Sequence, residues 1–432
     1  MIGVVADDIT GSNDIGIMFA KSNYTVNVFS FNKDGQFTEN CKNTDVLVFD
    51  TDSRFDKANE AYQKVYEATK ALKTSGATQF INKTCSVFRG NIGAEFDAML
   101  DALNEEFAVV VLGFPKNGRQ TINGIHYVHN QLLEESEFRN DPVHPMKESN
   151  LVAILQSQTN RKVTSVNYEV VRAGSKKLRE TILSKRENYH YVIVDVTDQN
   201  DLNTIAQAVY DMKIVAGSSA LAEEIPKVLG KKDGREVPAS MPPYHPKKGL
   251  FCAAGSLMPQ TATQIQYMKD KGVKVYELPS VKLLDPYQHQ KVLEEFKDQI
   301  ITEINNGMDV ILHSTNERQK VQATKELAQN SYGLSNREVS RLVSSTIADI
   351  TYSVLEQTGQ KRFVIAGGDT SASVCRKLGI NGMRVWEEIE PGLPSCISLT
   401  EEPYLFVLKS GSFGSKDFFD KAFRHIREQL MA

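Results

Sequence analysis

Cysteine is scarce and scattered in this sequence. The 432 residues contain five cysteines and no C-x-x-C motif. They are Cys41, Cys85, Cys252, Cys375 and Cys396. An odd number without regular spacing argues against a disulfide framework and against a structural zinc site. We therefore expect a reducing, cytoplasmic environment.

Long apolar runs and charge of one sign are also lacking. No apolar segment approaches about 18 residues, so the sequence predicts no membrane-spanning helix. The first residues do not have the charged and apolar pattern of a signal peptide. The formal net charge is -4, which gives no reason to expect a nucleic-acid partner. Small molecules are the expected partners, and a homo-oligomer is left open.

The two best-known phosphate-binding motifs are missing. Neither a Walker A sequence nor G-x-G-x-x-G occurs in the chain. This argues against a P-loop NTPase and against a dinucleotide-dependent oxidoreductase. A nucleotide-cofactor oxidoreductase stays an alternative only because such enzymes also have doubly wound α/β domains, and a fold alone does not decide function.

Short apolar runs do alternate with amphipathic segments along the whole chain. They predict strands at 2–6, 25–29, 46–49, 79–82, 109–112, 163–166, 191–194, 250–253, 273–277, 310–312, 363–366, 396–399 and 404–408. Helical periodicity is clearest at 57–73, 91–103, 201–212 and 336–356. Such alternation predicts an α/β fold with mostly parallel sheets flanked by helices. A proline-rich stretch at 230–248 separates two predicted domains, 1–235 and 245–432.

The first predicted strand ends at two carboxylates, Asp7 and Asp8. We predict a turn at 9–11 and then a helix that starts near Ser12, Asn13 and Asp14, which are helix-starting residue types. Ligands bind at the carboxyl ends of parallel strands, so a catalytic role fits. A turn or N-cap role fits Asp8 equally well. Because successive strand residues point to opposite faces, only one of the two carboxylates is expected to face the site.

Two more polar clusters follow predicted strands, DTDSR at 50–54 and NKTCSVFRGN at 82–91. Their mixture of carboxylates, cations and hydroxyls suits a small, polyhydroxylated, anionic substrate. Arg54 or Lys83 could neutralise a substrate carboxylate. For Arg54 and Arg89, a structural pairing with nearby carboxylates is equally compatible with the sequence. Cys85 is interpreted as a small filler rather than a nucleophile.

The long region 113–145 exceeds an ordinary α/β connection, and we interpret it as a structured loop. It contains HYVH, in which His126 and His129 could share one side of a helical turn. No carboxylate ligand accompanies them, so a structural role is the preferred interpretation over metal binding.

Three glycine-containing turns follow strands in the second predicted domain. They read CAAGSLMP, FVIAGGDTSASV and LKSGSFG. Glycine lets backbone N–H groups approach an anion, and a following helix N-terminus adds favourable partial charge. One such turn is weak support, but three in one domain favour a phosphate-bearing ligand.

Several segments together resemble the four-carbon acid sugar kinases, a two-domain family. ADDITGSND is similar to the family signature ADDLTGAND, and DTDSR matches the arginine loop. NKTCSVFRGNIGAEFDAM resembles K-x-D-S-T-L-R-G-N-x-G-x-E, and AGGDTSASVCRKLGI resembles the glycine motif of the nucleotide domain. FPKNGRQTINGIHYV, DPVHPMKESNL and VAGSSALAEEI are similar to further family segments. The resemblance runs nearly end to end, and it is the combination that is specific.

The resemblance implies an ATP-dependent kinase that phosphorylates the terminal hydroxyl of an acid such as threonate, erythronate or 3-oxo-tetronate. It implies an acid-sugar site in the first domain and ATP, accompanied by Mg²⁺, in the second. Asp8 is the first candidate for the catalytic base and Asp7 the second. The implied acid-sugar contacts are Asp8, Arg54, Lys83, Thr84, Cys85 and Ser86. The implied ATP contacts are Ser256, Gly367, Gly368, Asp369, Thr370 and Gly411. No metal-ligating side chain is predicted.

One departure from the family pattern bears on the substrate. The family has Asp-Ser-Thr where this chain has Cys85-Ser86-Val87. The change removes a carboxylate and a hydroxyl, which implies a different choice of acid. A non-catalytic sensor that kept the fold is the remaining alternative, and Cys85 is its only motif-level support.

Overall fold

The computed structural model describes residues 1–31, 44–141, 143–232 and 241–429. It divides into two compact units, Met1–Glu236 and Val237–Ala432, which we call the first and second units. Cys41 and residues 233–240 of the predicted proline-rich separator lie outside the described residues. Within the described part of the chain, no helix is both long and apolar enough to cross a membrane.

The first unit is built on a parallel sheet of eight described strands. They are β1 (Ile2–Ala6), β2 (Val26–Ser30), β3 (Val46–Asp50), β4 (Gln79–Lys83), β5 (Ala108–Val111), β9 (Val163–Val166), β10 (Tyr191–Val194) and β11 (Ile214–Gly217). Their order in the sheet is β2-β3-β1-β4-β11-β5-β10-β9. Nearly every residue of these strands is buried. Both faces of a parallel sheet are covered by helices, which is why the strands appear in the sequence as continuous apolar runs.

The helices of the first unit are α1 (Ile9–Ala20), α2 (Ala58–Thr74), α3 (Ile92–Leu103), α4 (Leu151–Gln156), α5 (Tyr168–Arg172), α6 (Ser175–Lys185), α7 (Gln199–Val209) and α8 (Leu221–Leu229). A small antiparallel sheet lies between β5 and α4. Its strands are β6 (Arg119–Ile122), β7 (Ile125–Val128) and β8 (Gln131–Leu132). The predicted structured loop at 113–145 therefore contains a sheet of its own.

The second unit has seven described strands. They are β12 (Phe251–Ala254), β13 (Lys274–Leu278), β14 (Val310–Ser314), β15 (Arg362–Ala366), β16 (Gly382–Glu390), β17 (Leu393–Ser398) and β18 (Leu405–Lys409). Their order is β13-β14-β12-β15-β18-β17-β16, parallel up to β18 and antiparallel beyond it. The helices are α9 (Pro259–Asp270), α10 (Pro286–Asn305), α11 (Arg318–Tyr332), α12 (Asn336–Thr358), α13 (Gly368–Lys377) and α14 (Phe418–Glu428).

The predicted α/β fold with mostly parallel, helix-flanked sheets is confirmed. Three local predictions are wrong. The turn at 9–11 is absent, because α1 already begins at Ile9 and Asp8 is its N-cap. His126 lies in β7 and not on a helical turn, and His129 follows that strand with a φ of 47°. The strands β6, β7, β8, β11 and β16 were not predicted at all.

Candidate functional site

Four neighbouring strands of the first unit bring the predicted acid-sugar residues to one edge of the sheet. β3, β1, β4 and β11 are adjacent and parallel, so their carboxyl ends lie side by side. Backbone hydrogen bonds join the loops that follow them. The N–H of Asp7 donates to the Lys83 carbonyl at 3.3 Å, and that of Arg54 donates to the Asp7 carbonyl at 3.2 Å. The loops carrying Asp7, Arg54 and Lys83 thus form one connected surface.

Arg54 binds both carboxylates of the opening motif. Its Nε and Nη2 donate to the two Asp7 oxygens at 2.8 and 2.7 Å, and its Nη1 contacts Oδ2 of Asp8. All three side chains are buried. Both carboxylates lie beyond the end of β1 and turn toward the same guanidinium. That only one of them faces the substrate stays a prediction. The structural pairing left open for Arg54 is present.

Asp8 has a second, structural task. Its Oδ1 accepts the N–H of Gly11 at 2.6 Å and its Oδ2 accepts the Thr10 hydroxyl at 3.1 Å, which caps α1. Burial would raise the pKa of Asp8, but the charges of Arg54 and Lys83 outweigh burial and hold the pKa below its usual value. A Cβ at position 11 would lie 2.7 Å from Oδ1 of Asp8, so only glycine fits.

Asp14 joins this group, although its sequence position predicts only a helix-starting residue. Its Oδ2 accepts the Ser219 hydroxyl at 2.7 Å and lies 3.5 Å from Nζ of Lys83. Burial raises the pKa of Asp14 to about 6. Among the described residues, its Oδ1 and both amide atoms of buried Asn13 have no hydrogen-bond partner. Buried polar atoms without partners require an explanation, and a ligand is one.

Two further buried carboxyl groups border the same edge. The Ser53 hydroxyl donates to Oε1 of Glu95 at 2.7 Å, and burial raises the pKa of Glu95 to about 8. Burial, with repulsion from Asp52, raises the pKa of Asp50 well above its usual value. Burial therefore favours the protonated form of Glu95. The family segment that resembles N-x-G-x-E already contained Glu95, but nothing in the sequence indicated its burial.

The loop after β4 holds Cys85 against Arg89. Nε of Arg89 lies 3.3 Å from Sγ of Cys85, and its Nη1 binds Oδ2 of Asp141 at 2.6 Å. Burial would raise the pKa of the Cys85 thiol, but Arg89 and Arg54 lower it below its usual value. Cys85 is thus a buried sulfur in contact with Arg89, and its role in the site stays a prediction.

The other two predicted residues of this loop, Thr84 and Ser86, contact their surroundings through the Thr84 hydroxyl and the Ser86 backbone carbonyl. Thr84 is fully buried, and its hydroxyl donates to the Cys85 carbonyl at 3.2 Å. The carbonyl of Ser86 accepts Nε2 of His126 at 2.9 Å. Phe88 closes the loop with a φ of 57°, a backbone region that bulky residues rarely adopt.

The three predicted glycine turns of the second unit also lie side by side. They follow β12, β15 and β18, which are adjacent and parallel. A Cβ at Gly255 would overlap Oγ1 of Thr370, and a Cβ at Gly411 would overlap Oγ of Ser256. Gly367, with a φ of 115°, is close to the backbone N of Ser256. The three turns are in mutual contact.

Gly368 and Asp369 begin α13, directly after the second glycine turn. The first N–H groups of a helix lack partners within the helix and attract anions. Oδ2 of Asp369 accepts the Ser340 hydroxyl of α12 at 2.9 Å, so this carboxylate is held at the side of the helix start. No group of three or more His, Cys, Asp and Glu suited to a metal ion occurs in the described ranges.

Comparison with known proteins places the chain in a family. A model described as "Sugar-binding N-terminal domain" matches residues 2–225, and one described as "Nucleotide-binding C-terminal domain" matches residues 251–419. A 3-oxo-tetronate kinase of Haemophilus influenzae is 31% identical over 430 residues, covering 98% of this chain and 99% of that protein. The chain belongs to the four-carbon acid sugar kinase family. The 3-oxo-tetronate kinase of Actinobacillus succinogenes is 32% identical with the same coverage.

Solved structures agree with this family membership. A Salmonella typhimurium LT2 protein, provisionally described as a tRNA synthase, has a TM-score of 0.81 and 26% identity, covering 98% of this chain and 99% of that one. A Haemophilus influenzae protein has a TM-score of 0.70 and 30% identity, covering 97% of this chain and 98% of that one. These two solved structures therefore share the fold of this chain over nearly its whole length.

Proposed function

We propose that this protein transfers the γ-phosphoryl group of ATP to the terminal hydroxyl of a four-carbon sugar acid. The observation that carries the proposal is the contact among three glycine turns at neighbouring strand ends of the second unit. Such turns suit a polyphosphate. The relatives named 3-oxo-tetronate kinase support a four-carbon acid as acceptor. We rank 3-oxo-tetronate first, ahead of threonate and erythronate.

In this proposal the first unit binds the acid at the strand edge described above. Lys83 is the best placed cation for the substrate carboxylate, because its nearest carboxylate oxygen lies 3.5 Å away. Arg54 is more fully engaged, since three of its nitrogens bind Asp7 and Asp8. Arg54 therefore orients the two carboxylates, and the loop of Thr84, Cys85 and Ser86 selects the acid.

Asp8 is the proposed acceptor of the hydroxyl proton, with Asp7 as second choice. Phosphoryl transfer passes through a loose transition state that asks mainly for positioning and charge stabilisation. An acceptor that stays ionised is therefore more useful than a strong base, and the lowered pKa of Asp8 meets that need. Asp7 has both oxygens bound by Arg54, which leaves it less free to take a proton.

ATP is proposed to contact Ser256, Gly367, Gly368, Asp369, Thr370 and Gly411 in the second unit. Mg²⁺ usually keeps several waters and binds through one or two carboxylates together with substrate phosphates. The described residues offer no cage of three ligands, so they suit an ion that arrives with the nucleotide. Its chemistry would be neutralisation of phosphate charge.

The test is a coupled assay of ADP release with Mg-ATP and a panel of C4 sugar acids. We expect release with at least one acid, far above the ATPase background without acid. No release with any acid would contradict the kinase proposal. Acid binding without turnover would support the sensor, and tight NAD(H) binding without ATP binding would support the oxidoreductase.

A further inference from the structure

The third glycine turn rests on a buried lysine that the assignments above do not use. Lys409 is the last residue of β18 and is fully buried. Its Nζ donates to the carbonyls of Ser410 and Gly411 at 2.9 and 3.0 Å, and to the Thr261 hydroxyl at 2.9 Å. Thr261 in turn donates to the Gly411 carbonyl at 2.9 Å. Both side chains thus bind the inner side of the turn.

Gln264, one helical turn after Thr261 on α9, continues this support. Its Nε2 lies 3.1, 3.0 and 3.0 Å from the carbonyl oxygens of Phe413, Gly414 and Ser415. Gln264 is fully buried. Lys409, Thr261 and Gln264, which we call the turn support, therefore contact carbonyl oxygens from Ser410 to Ser415.

Inward carbonyls set the direction of the neighbouring N–H groups. In a planar trans peptide, the C=O of one residue and the N–H of the next point in opposite directions. The bound carbonyls of Ser410 and Gly411 therefore direct the N–H groups of Gly411 and Ser412 away from the support. Among the described residues, the N–H groups of Gly411, Ser412 and Gly414 have no hydrogen-bond acceptor. Outward N–H groups in succession form an anion-binding concavity.

The charge of Lys409 is not balanced by a bound carboxylate. Within the described ranges, its hydrogen-bond partners are two carbonyls and a hydroxyl. The titratable groups whose charges act on it are Cys252 on β12 and Glu390 on β16, and the Phe419 ring of α14 lies 6.0 Å away. Burial lowers the pKa of Lys409 to about 7. A buried cation of this kind is stabilised by an anion bound nearby.

We propose that Lys409 is a positioning residue for the nucleotide phosphates. Lys409 holds the third glycine turn so that the N–H groups of the turn point outward. It also adds a buried positive charge, which the bound phosphate neutralises. This inference rests on the proposed function, and it adds a consequence. Phosphate favours the protonated lysine, so nucleotide binding above pH 7 should draw a proton into the protein. Nucleotide affinity should then weaken as the pH rises from 7 to 9.

The experiment is calorimetric titration of the full-length protein with Mg-ADP in two buffers of different ionisation enthalpy. At pH 8 we expect wild type to take up close to one proton, and Lys409→Met to take up none. Lys409→Met should bind about tenfold more weakly at pH 7, the equivalent of one pKa unit. The nucleotide affinity of Lys409→Met should depend less on pH than that of wild type. Titration of the nucleotide itself affects both proteins equally, so the comparison between them removes its contribution.

Three variants separate the possible reasons for a loss of affinity. Lys409→Arg keeps the charge at all pH values, so it should bind nucleotide without proton uptake. Thr261→Val disturbs the turn but leaves the lysine, so it should bind more weakly with proton uptake retained. Lys377→Met removes an exposed cation of α13 and should match wild type. Thermal melts of each variant establish that it is folded.

If Lys409→Met takes up as many protons as wild type and binds nucleotide with the same affinity, the proposed role of Lys409 is overturned. The kinase proposal is not affected by that result. A folded wild type that binds neither ATP nor ADP would overturn both. A variant that is only less stable, with unchanged proton uptake and nucleotide affinity, would also contradict the proposal, because it would show a purely structural lysine.

Discussion

At the scale of single residues, Asp7 and Asp8 have different environments, although both directly follow the same strand in the sequence. Asp7 accepts two bonds from Arg54, a bidentate geometry that fixes it. Asp8 shares one oxygen with Arg54 and Thr10 and uses the other to cap α1. A new hydrogen bond from a substrate hydroxyl competes with one guanidinium contact at Asp8 and with two at Asp7. The residue-level contacts thus give a physical reason for the order, Asp8 before Asp7, in which the sequence analysis had already placed them.

Asp8→Asn should abolish most turnover while leaving the fold intact. Asparagine is as good an N-cap as aspartate, so α1 keeps its start. The loss of the anionic acceptor should lower kcat by about 10²-fold or more, with the KM for ATP little changed. Steady-state kinetics with the best acid measures both. The comparison variant is Asp7→Asn, which breaks a buried ion pair and should cost more stability, about 3 kcal/mol. Wild-type kcat in Asp8→Asn would refute its role.

Cys85→Asp should change which acid the enzyme prefers. It places a carboxylate between Arg54 and Arg89, where the family pattern has one, and the two guanidinium groups can accommodate the charge. A changed hydrogen-bonding group in a substrate site alters discrimination strongly. We expect the ratio of kcat/KM for 3-oxo-tetronate and threonate to shift by about tenfold or more. Cys85→Ser, which adds no charge, is the control. An unchanged ratio in Cys85→Asp would place this residue outside the selective part of the site.

At the scale of secondary-structure elements, the three glycine turns of the second unit contact one another, so a change in one turn should affect the others. Gly411→Ala would bring a Cβ against Oγ of Ser256 and within 2.9 Å of Cγ of Met258, forcing the first and third turns apart. We expect the KM for ATP to rise by about tenfold, or about 1.4 kcal/mol. The KM for the acid should not change, because the acid-sugar residues belong to the first unit. Initial rates with each substrate varied in turn measure both constants.

A matched control for this variant is Gly379→Ala. Gly379 has a φ of 68° with open space around it, so alanine there suffers backbone strain without a clash. It should cost about 1 kcal/mol of stability and leave the KM for ATP unchanged. If both variants raised this KM equally, general destabilisation and not contact between the turns would be the cause.

The sequence predicted elements well where burial is uniform. β1 matches its predicted bounds because both faces of the sheet are covered, which makes the strand a continuous apolar run. β11 was missed although β9 and β10 are equally short, because its sequence IVAG has only two strongly strand-forming residues and ends in Ala-Gly. His126 was misplaced because β7 alternates buried and half-buried residues over only four positions. Short elements depend on tertiary contacts that no local pattern contains.

The sequence predicted which residues form the candidate site, but it did not predict which of them contact each other. The strand-end position of Asp8, Arg54 and Lys83 follows from the parallel sheet, and the structure brings them together. Contacts between residues about 46 positions apart, such as that of Arg54 with Asp8, depend on strand order. The buried carboxyl of Asp14 was missed because its environment comes from β4 and the loop after β11. Such environments form only once the sheet is assembled.

The whole molecule carries two chemically different strand edges. In the first unit, carboxyl groups and cations are buried together, and the pKa values of Asp14, Asp50 and Glu95 are raised. In the second, the edge offers hydroxyls, backbone N–H groups and one buried lysine. The stability of the first unit should therefore respond to pH through its carboxyl groups, which gives a prediction for the protein as a whole.

Glu95 should make the first unit less stable as the pH rises. Its pKa is raised from 4.5 to about 8 in the folded state, so the folded state binds the proton more tightly than the unfolded state does. The free energy of unfolding then falls with rising pH between these two values. Glu95→Gln keeps the acceptor for Ser53 and has no proton to lose. Compared with wild type, this variant should gain about 3 kcal/mol between pH 5 and pH 8.

Urea unfolding followed by far-UV circular dichroism at pH 5 and pH 8 measures this difference. Fluorescence of Trp386, the only tryptophan, reports on the second unit and should show no difference between wild type and Glu95→Gln. Glu180→Gln, an exposed position on α6, is the control for removing a carboxylate. A difference between Glu95→Gln and wild type that stays constant with pH would mean that Glu95 is ionised in the folded protein. The Ser53 hydroxyl would then donate to a carboxylate instead of a neutral carboxyl group, and the charge balance around Arg54 would be more negative by one.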